Sequence, residues 1–205
     1  MLTVDSIKQA SGMYKIPKYV HINKNVCFDY RLFDALVRPN YDGDNRDYKY
    51  DFDVFLPKYG VNLQRPYVWE EVQQREFILS LLQEKPLDSV IIVQHNSDRE
   101  RKNTINYVID GKQRLMTVKK FANNEFPIIV EGKEYYFKDF DDDLKIFLRS
   151  RVNYITGTVY YSYDNAPVTD DMKITLFNFY NFSGTPQTEE HKQKLQNLIN
   201  NGKPE

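Results

Sequence analysis

The stretch YVIDGKQRLMTVKKFA at residues 107–122 contains a change of periodicity that decides the fold class. Residues 105–109, directly before Asp110, are mostly apolar and β-branched, which is typical of a strand. After Gly111, apolar side chains recur at helical spacing, at Leu115, Val118, Phe121 and Ala122. Glycine tolerates the backbone angles that a sharp turn needs. The sequence therefore predicts a strand that ends at Asp110, a turn at Gly111 and a helix that starts at once.

A helix and a strand precede this junction along the chain. Residues 69–83 place Ile78, Leu81 and Leu82 at helical spacing, and Pro86 marks the end of the helix. Residues 89–94 form a continuous β-branched run, which predicts a buried strand. The charged residues 96–103 then read as the loop between the two strands.

The C-terminal half predicts further alternation of strands and helices. Residues 126–130 and 135–137 flank a turn at 131–134 and predict a hairpin. The acidic triplet at 141–143 suits the first turn of a helix, because a helix N-terminus favours negative charge. The other predicted elements are a strand over 154–163, a helix that Thr169 caps and that ends near Asn181, a turn at 184–186, and a terminal helix from Thr188 to about Asn200.

The N-terminal quarter gives weaker signals. Residues 30–37 predict a short helix, 41–47 an exposed polar loop, and 53–57 an extended segment. We therefore expect an N-terminal extension at 1–52, an α+β domain at 53–202 built on a small mixed sheet with flanking helices, and a tail at 203–205.

Composition limits the classes of function. The 205 residues carry a formal net charge of -1, so no overall positive field attracts nucleic acid. The single cysteine, Cys27, excludes an internal disulfide and a cysteine-based zinc site within one chain. The three histidines show no metal-ligand spacing. No signal peptide and no apolar run long enough for a membrane span is evident, so we expect a cytoplasmic protein without a membrane partner.

The junction at residues 110–114 carries the chemistry. The first turn of a helix leaves backbone N–H groups unpaired, and the helix dipole favours an anion there, so the turn is a candidate phosphate cradle. Lys112 and Arg114 add positive charge, Gln113 can donate or accept, and Gly111 permits close approach. Asp110 is a candidate ligand for a phosphate-bridging Mg²⁺. A structural junction with solvated charges, or with Arg114 paired to an acid such as Glu76, is the alternative.

Two other units could complete such a site. In the first, Arg65 could reach a phosphate while Tyr67 or Trp69 stacks on a base. The alternative is that these aromatics anchor the start of a helix. In the second, Asn181, Ser183 and Thr185 lie in NFSGTP at 181–186, where side-chain oxygens could bind phosphate or sugar. The alternative there is a simple connector.

These three units, in this order, resemble the GmrSD restriction endonuclease N-terminal domain family. The resemblance covers roughly residues 59–198. It implies a ParB/sulfiredoxin-like core, and nucleoside-triphosphate binding and hydrolysis at the family's Asp-Gly-Gln-Gln-Arg motif. That motif is Asp110-Gly111-Lys112-Gln113-Arg114 in this chain.

The chain departs from the family pattern at two positions. Lys112 replaces a glutamine and adds a charge, while Phe179 stands where many members have an arginine that could contact phosphate or base. Larger members of the family carry an HNH-type nuclease domain downstream. This chain has no such signature, so we expect it not to cut DNA by that route.

The resulting hypothesis is a nucleoside-triphosphate-binding domain of a bacterial or phage restriction or anti-restriction system. As a Mg²⁺-dependent triphosphatase, it would use Asp110 and Arg114 as catalytic residues, Lys112 on the phosphates and Arg65 to close the site. The alternative is a non-catalytic module that senses nucleotide or DNA and regulates a nuclease partner. A nuclease that acts alone through Asp110 and Glu76 is a third reading, which no paired-carboxylate spacing supports.

Overall fold

A five-stranded mixed sheet organises the fold. A computed structural model describes residues 20–27, 32–38, 47–96, 103–162 and 168–182, and also Gln193 and Asn197, which are helical. The strands are β1 (Val20–Cys27), β2 (Asp47–Asp51), β5 (Val90–Asn96), β6 (Asn103–Asp110) and β9 (Thr156–Ser162). Their spatial order is β1-β9-β5-β6-β2. The β9–β5 and β6–β2 pairs are parallel, whereas β1–β9 and β5–β6 are antiparallel.

Helices cover both faces of this sheet. The described α-helices are α1 (Leu32–Val37), α2 (Glu71–Leu82), α3 (Lys112–Ala122), α4 (Asp142–Asn153) and α5 (Asp170–Phe182). Helices α1 to α4 share one apolar core with Ile92 and Val108 of the sheet. Helix α5 packs in a second core on Ile91, Val93 and Ile109. Neighbouring residues of β5 enter different cores because side chains alternate across a strand. The predicted α+β class is confirmed.

Two small hairpins complete the described part. Strands β3 (Phe55–Leu56) and β4 (Val61–Asn62) form one, and β7 (Ile128–Val130) and β8 (Lys133–Tyr135) form the other. The β7–β8 hairpin confirms the hairpin that the sequence predicts, but its turn is shorter than expected. Glu131 and Gly132 both have positive φ, 51° and 76°, as a tight turn between twisted strands requires. Residues 137–139 form a 3₁₀ helix rather than a strand.

The periodicity-based predictions around the central junction are confirmed. Helices α2, α3 and α4 and strands β5, β6 and β9 lie where the sequence places them, within a few residues at each end. Helix α5 begins after Thr169, whose hydroxyl accepts from the Met172 N–H at 3.2 Å and so caps it. The sequence predicts loops at 96–103 and 41–47, but Asn96, Asn103 and Asp47 belong to strands. The remaining residues of these loops, the turn at 184–186 and the bounds of the terminal helix lie outside the described residues.

The structure adds strands that the sequence did not predict. Strands β1 and β2 form the two edges of the five-stranded sheet, and α1 contributes Leu32, Phe33 and Leu36 to the first core. Part of the predicted extension at 1–52 therefore shares its sheet and core with the rest of the described chain. Among the described helices, none is both long and apolar enough to span a membrane.

Candidate functional site

The β6–α3 junction has the form that its sequence predicts. Gly111 is the N-cap of α3, with φ 105°, and none of the described side chains caps the helix. The first intrahelical bond runs from the Leu115 N–H to the Gly111 carbonyl at 3.0 Å. The N–H groups of Lys112, Gln113 and Arg114 therefore have no partner among the described residues, and they carry the positive end of the helix dipole.

A cleft of about 150 Å³ opens at this junction. The described residues that line it come from three parts of the chain, which the sequence separates widely. They are Gln64, Arg65, Trp69, Asp110, Gly111, Lys112, Gln113, Arg114 and Asn181. The structure therefore brings together members of all three units that the sequence singled out.

Arg114 is held by its own surroundings. Its guanidinium donates to the Asp88 carbonyl, to the Ser89 carbonyl at 3.2 Å and to the Asp110 carboxylate at 3.0 Å. Its acidic partner is Asp110 rather than Glu76, which is exposed on α2. The side chain thus ties the start of β5 to the end of β6, and a phosphate would compete with these bonds.

Lys112 is also engaged in an ion pair. Its Nζ lies 2.6 Å from Oδ1 of Asp53, and the lysine is only 6% exposed. Asp53 belongs to the β3–β4 segment, residues 53–64, which leads directly into Arg65. Lys112 therefore fixes this segment against α3, and its charge is already partly neutralised.

Gln113 shapes the far wall of the cleft. Its Oε1 accepts from the Val68 N–H at 2.9 Å and the Trp69 N–H at 3.3 Å, while its Nε2 donates to the Pro66 carbonyl at 3.2 Å. The buried side chain satisfies three backbone groups of a loop that has no secondary structure. It holds the loop that carries Arg65 and Trp69.

Arg65 is the cation in this cleft that remains available. It is exposed and makes no hydrogen bond or ion pair within the described part of the chain. Trp69 lines the same cleft, with its ring edge-on to Phe77 at 5.5 Å. Its position is compatible with the predicted stacking role.

Tyr67 is not among the described residues that line the cleft. Its hydroxyl bonds to the Thr117 hydroxyl at 2.8 Å, and the Lys120 ammonium lies 5.5 Å from its ring centre. Burial raises the pKa of the Tyr67 hydroxyl, so the group stays neutral across the physiological range. These contacts favour the alternative in which the aromatic residues anchor the start of a helix, here through the loop that leads into α2.

Two amide side chains close the floor of the cleft. Asn181 donates to the Ile109 carbonyl at 3.2 Å and to the Phe177 carbonyl at 3.0 Å, so its helix reaches the site. Gln64 donates to the Val108 carbonyl at 2.7 Å and the Ile109 carbonyl at 2.8 Å. Ser183 and Thr185, the other candidates of that unit, lie outside the described residues.

Gln64 and Asp53 were not predicted as site residues. Gln64 directly precedes Arg65, so its place in the same short motif was the available signal. Nothing in the sequence pairs Asp53 with Lys112, 59 positions away.

The acidic chemistry of the cleft rests on Asp110. It is the one carboxylate among the described lining residues, and its side chain is 45% exposed. The described residues contain no cluster of three or more acidic, histidine or cysteine side chains that could hold a metal ion. A Mg²⁺ ion that arrives with phosphate needs only one or two carboxylates from the protein, and Asp110 fits that requirement.

The sequence profile of the GmrSD restriction endonuclease N-terminal domain matches residues 44–203. The chain belongs to this family. The match includes all nine described residues that line the cleft of this GmrSD N-terminal domain. It begins nine residues before the domain boundary that the sequence predicts at residue 53. No curated protein and no solved structure gave a match to this chain.

Proposed function

We propose that the cleft binds the phosphates of a nucleoside triphosphate and that the chain acts in a restriction system. The observation that carries the proposal is the convergence, at one cleft, of the three backbone N–H groups at residues 112–114 and the guanidinium of Arg65, none of which has a partner among the described residues. Backbone amides at a helix N-terminus and an arginine fork are both suited to phosphate oxygens. The GmrSD family name supports the restriction context. We also propose a ParB/sulfiredoxin-like core for the sheet and its junction.

The roles of the charged residues follow from their contacts. Arg65 binds phosphate directly, because it has no competing partner among the described residues. Lys112 and Arg114 act mainly by positioning, since both already hold other parts of the protein. In hydrolysis, water would attack the terminal phosphorus while the bond from that phosphorus to the bridging oxygen breaks, and the proposed role of Asp110 is to orient that water. Mg²⁺ held by Asp110 and the phosphates would neutralise the negative charge when bound.

Binding without turnover is the second candidate function. Among the described residues, the cleft offers one available cation and one carboxylate, which are few groups with which to stabilise the charge of phosphoryl transfer. Phe179, at the position where the family often has arginine, packs edge-on against Tyr180 at 5.0 Å. These two observations favour a module that senses nucleotide or DNA and regulates a nuclease partner.

Calorimetric titration tests binding, and a phosphate-release assay separates the two candidates. We expect Arg65→Ala to weaken triphosphate binding about tenfold to a hundredfold, the effect of losing a charged hydrogen bond. Lys119→Ala is the control, because it removes an exposed charge from the opposite end of α3. Equal affinity of wild type and Arg65→Ala would contradict the proposed site. Binding without phosphate release would favour the sensing module.

A further inference from the structure

An irregularity in the sheet sets the orientation of Gln64 at the cleft floor. Ile91 pairs with Asp110 and Ile92 with Val108, so Ile109 is an extra residue in β6 with no partner in β5. Such a β-bulge frees a backbone group from the strand ladder. The Ile109 carbonyl instead accepts from the Gln64 amide at 2.8 Å and from the Asn181 amide at 3.2 Å.

The Gln64 amide can point only one way. Its two N–H hydrogens are both used, by the Val108 carbonyl at 2.7 Å and the Ile109 carbonyl at 2.8 Å. Carbonyl oxygens only accept hydrogen bonds, so the nitrogen of Gln64 must face them and the oxygen must face away. Within the described part of the chain, Oε1 of Gln64 has no hydrogen-bond donor, and the residue lines the cleft.

Because this oxygen can only accept a hydrogen bond, a ligand group that pairs with it must be a donor. An ionised phosphate has no hydrogen to donate and would be repelled by the amide oxygen. The donors of a nucleotide are its sugar hydroxyls and the N–H groups of its base. The sugar hydroxyls lie closer to the phosphates, and Gln64 lies beside the phosphate cradle, because it bonds to the residue just before Asp110.

We propose that Gln64 accepts a hydrogen bond from a ribose hydroxyl and makes this cleft selective for the hydroxyl-bearing sugar. The inference rests on the proposed function. A deoxy ligand that lacks the hydroxyl leaves Oε1 desolvated and unpaired, and sites built around a substrate hydroxyl discriminate strongly for that reason. Gln64 is therefore a specificity-determining residue, and Arg65 next to it binds phosphate.

The first test needs only the wild-type chain. Calorimetric titration with ATP, GTP, CTP and UTP finds the base that binds best, and its 2′-deoxy and 3′-deoxy forms are then compared. We expect one of the two deoxy forms to bind about tenfold to a hundredfold more weakly, the effect of leaving one buried acceptor unpaired. The form that loses affinity identifies the hydroxyl that Gln64 contacts.

A substitution that separates the two ends of the amide gives the second test. In Gln64→Lys, the ammonium can still donate to the Val108 and Ile109 carbonyls, but it cannot accept. We expect triphosphate binding to persist, helped by the added charge, while the ribose and deoxyribose forms become equal within about threefold, a small fraction of the wild-type difference. Gln83→Lys is the matched control, because Gln83 is exposed at the far end of α2.

The outcomes distinguish this inference from the proposed function. If ribose and both deoxy forms bind the wild type equally, the assignment of Gln64 is wrong and the phosphate site stands. The assignment is also wrong if affinity depends on the base but not on the sugar, or if Gln64→Lys keeps the sugar preference. If none of the triphosphates binds, the proposed function fails, and the assignment of Gln64 fails with it.

Discussion

Gly111 meets two requirements that no other residue type meets at this junction. Its φ of 105° is a conformation that L side chains rarely adopt. A Cβ at this position would also lie 2.5 Å from Cγ1 of Val90, well inside van der Waals contact. The glycine is therefore explained by the packing of α3 on β5, quite apart from any ligand.

We expect Gly111→Ala to lower the free energy of unfolding by about 2–5 kcal/mol, the sum of a backbone term and an overpacking term. The control is Gly132→Ala, where φ is 76° and nothing lies within 4 Å of the added carbon. This substitution should lower the free energy of unfolding only by the backbone term, about 1–2 kcal/mol. Urea unfolding measures both. Equal losses would show that the contact with Val90 relaxes without cost.

Arg114 is expected to act on stability before it acts on binding. Arg114→Ala leaves the Asp88 and Ser89 carbonyls and the Asp110 carboxylate without their donor. We expect a loss of about 1–3 kcal/mol, at the lower end where Asp110 reaches solvent. Arg38→Ala, at a side chain that is 61% exposed, is the control and should cost less. A variant with wild-type thermal stability and no nucleotide affinity would instead assign Arg114 to the phosphates.

The β3–β4 segment is held from several directions. Besides the ion pair of Lys112 with Asp53, Lys173 donates to the Phe55 carbonyl at 3.2 Å, and Asp170 accepts from the Lys58 N–H at 2.8 Å. Val54, inside the segment, is fully buried with φ at 51°, a strained conformation for a β-branched residue. The surrounding contacts must offset that strain, so the segment should be sensitive to losing one of them.

Lys112→Gln removes one such contact, because a neutral amide cannot form the ion pair with Asp53. We expect the amides of residues 53–64 to exchange hydrogen about tenfold faster, equivalent to about 1.4 kcal/mol, while the rest of the chain is unchanged. Hydrogen-exchange mass spectrometry measures this segment directly. In a protein that already carries Asp53→Asn, the same substitution should speed the exchange of these amides little further, because the ion pair is already broken. An equal increase in both backgrounds would show that the ion pair does not hold the segment.

Elements with a clear period could be predicted, and elements fixed by tertiary contacts could not. Helix α3 follows from Leu115 and Val118, and β5 from its β-branched run. The edge strand β2 has the sequence DYKYD, in which tyrosines alternate with charged residues, but this pattern spans only five residues beside a polar stretch and does not reveal the pairing with β6. The bulge at Ile109 is likewise invisible in sequence, so the cleft was predicted through Arg65 and Arg114 without Gln64.

The described part of the molecule combines two cores on opposite faces of one sheet. His95, on β5, extends the row of Ile91 and Val93, and its Nδ1 is buried without a partner among the described residues. Burial, and then the nearby charge of Lys173, lower the pKa of His95. The unfolded chain therefore takes up a proton at a higher pH than the folded protein does.

The free energy of unfolding should consequently fall as the solution is acidified from about pH 7. The fall passes through the pKa of His95 in the unfolded chain, about 6.5, and continues toward its lower pKa in the folded protein. The stability that neutral His95 contributes is present above its pKa in the unfolded chain, and it is lost as the pH falls below that pKa. His95→Gln should flatten the pH dependence of the free energy of unfolding in this window, measured by urea unfolding at several pH values. A slope that is unchanged in the variant would assign the effect to other groups.

The absence of a capping side chain at Gly111 has a consequence for how the anion site responds to its surroundings. Its attraction comes largely from peptide groups, which have no protonation equilibrium in water, and from arginine, which stays charged. The positive charge that these groups present to phosphate should therefore stay constant from mildly acidic to alkaline solution. Any acid-driven release of a bound phosphate in that range would originate in the ligand, as its own oxygens take up protons.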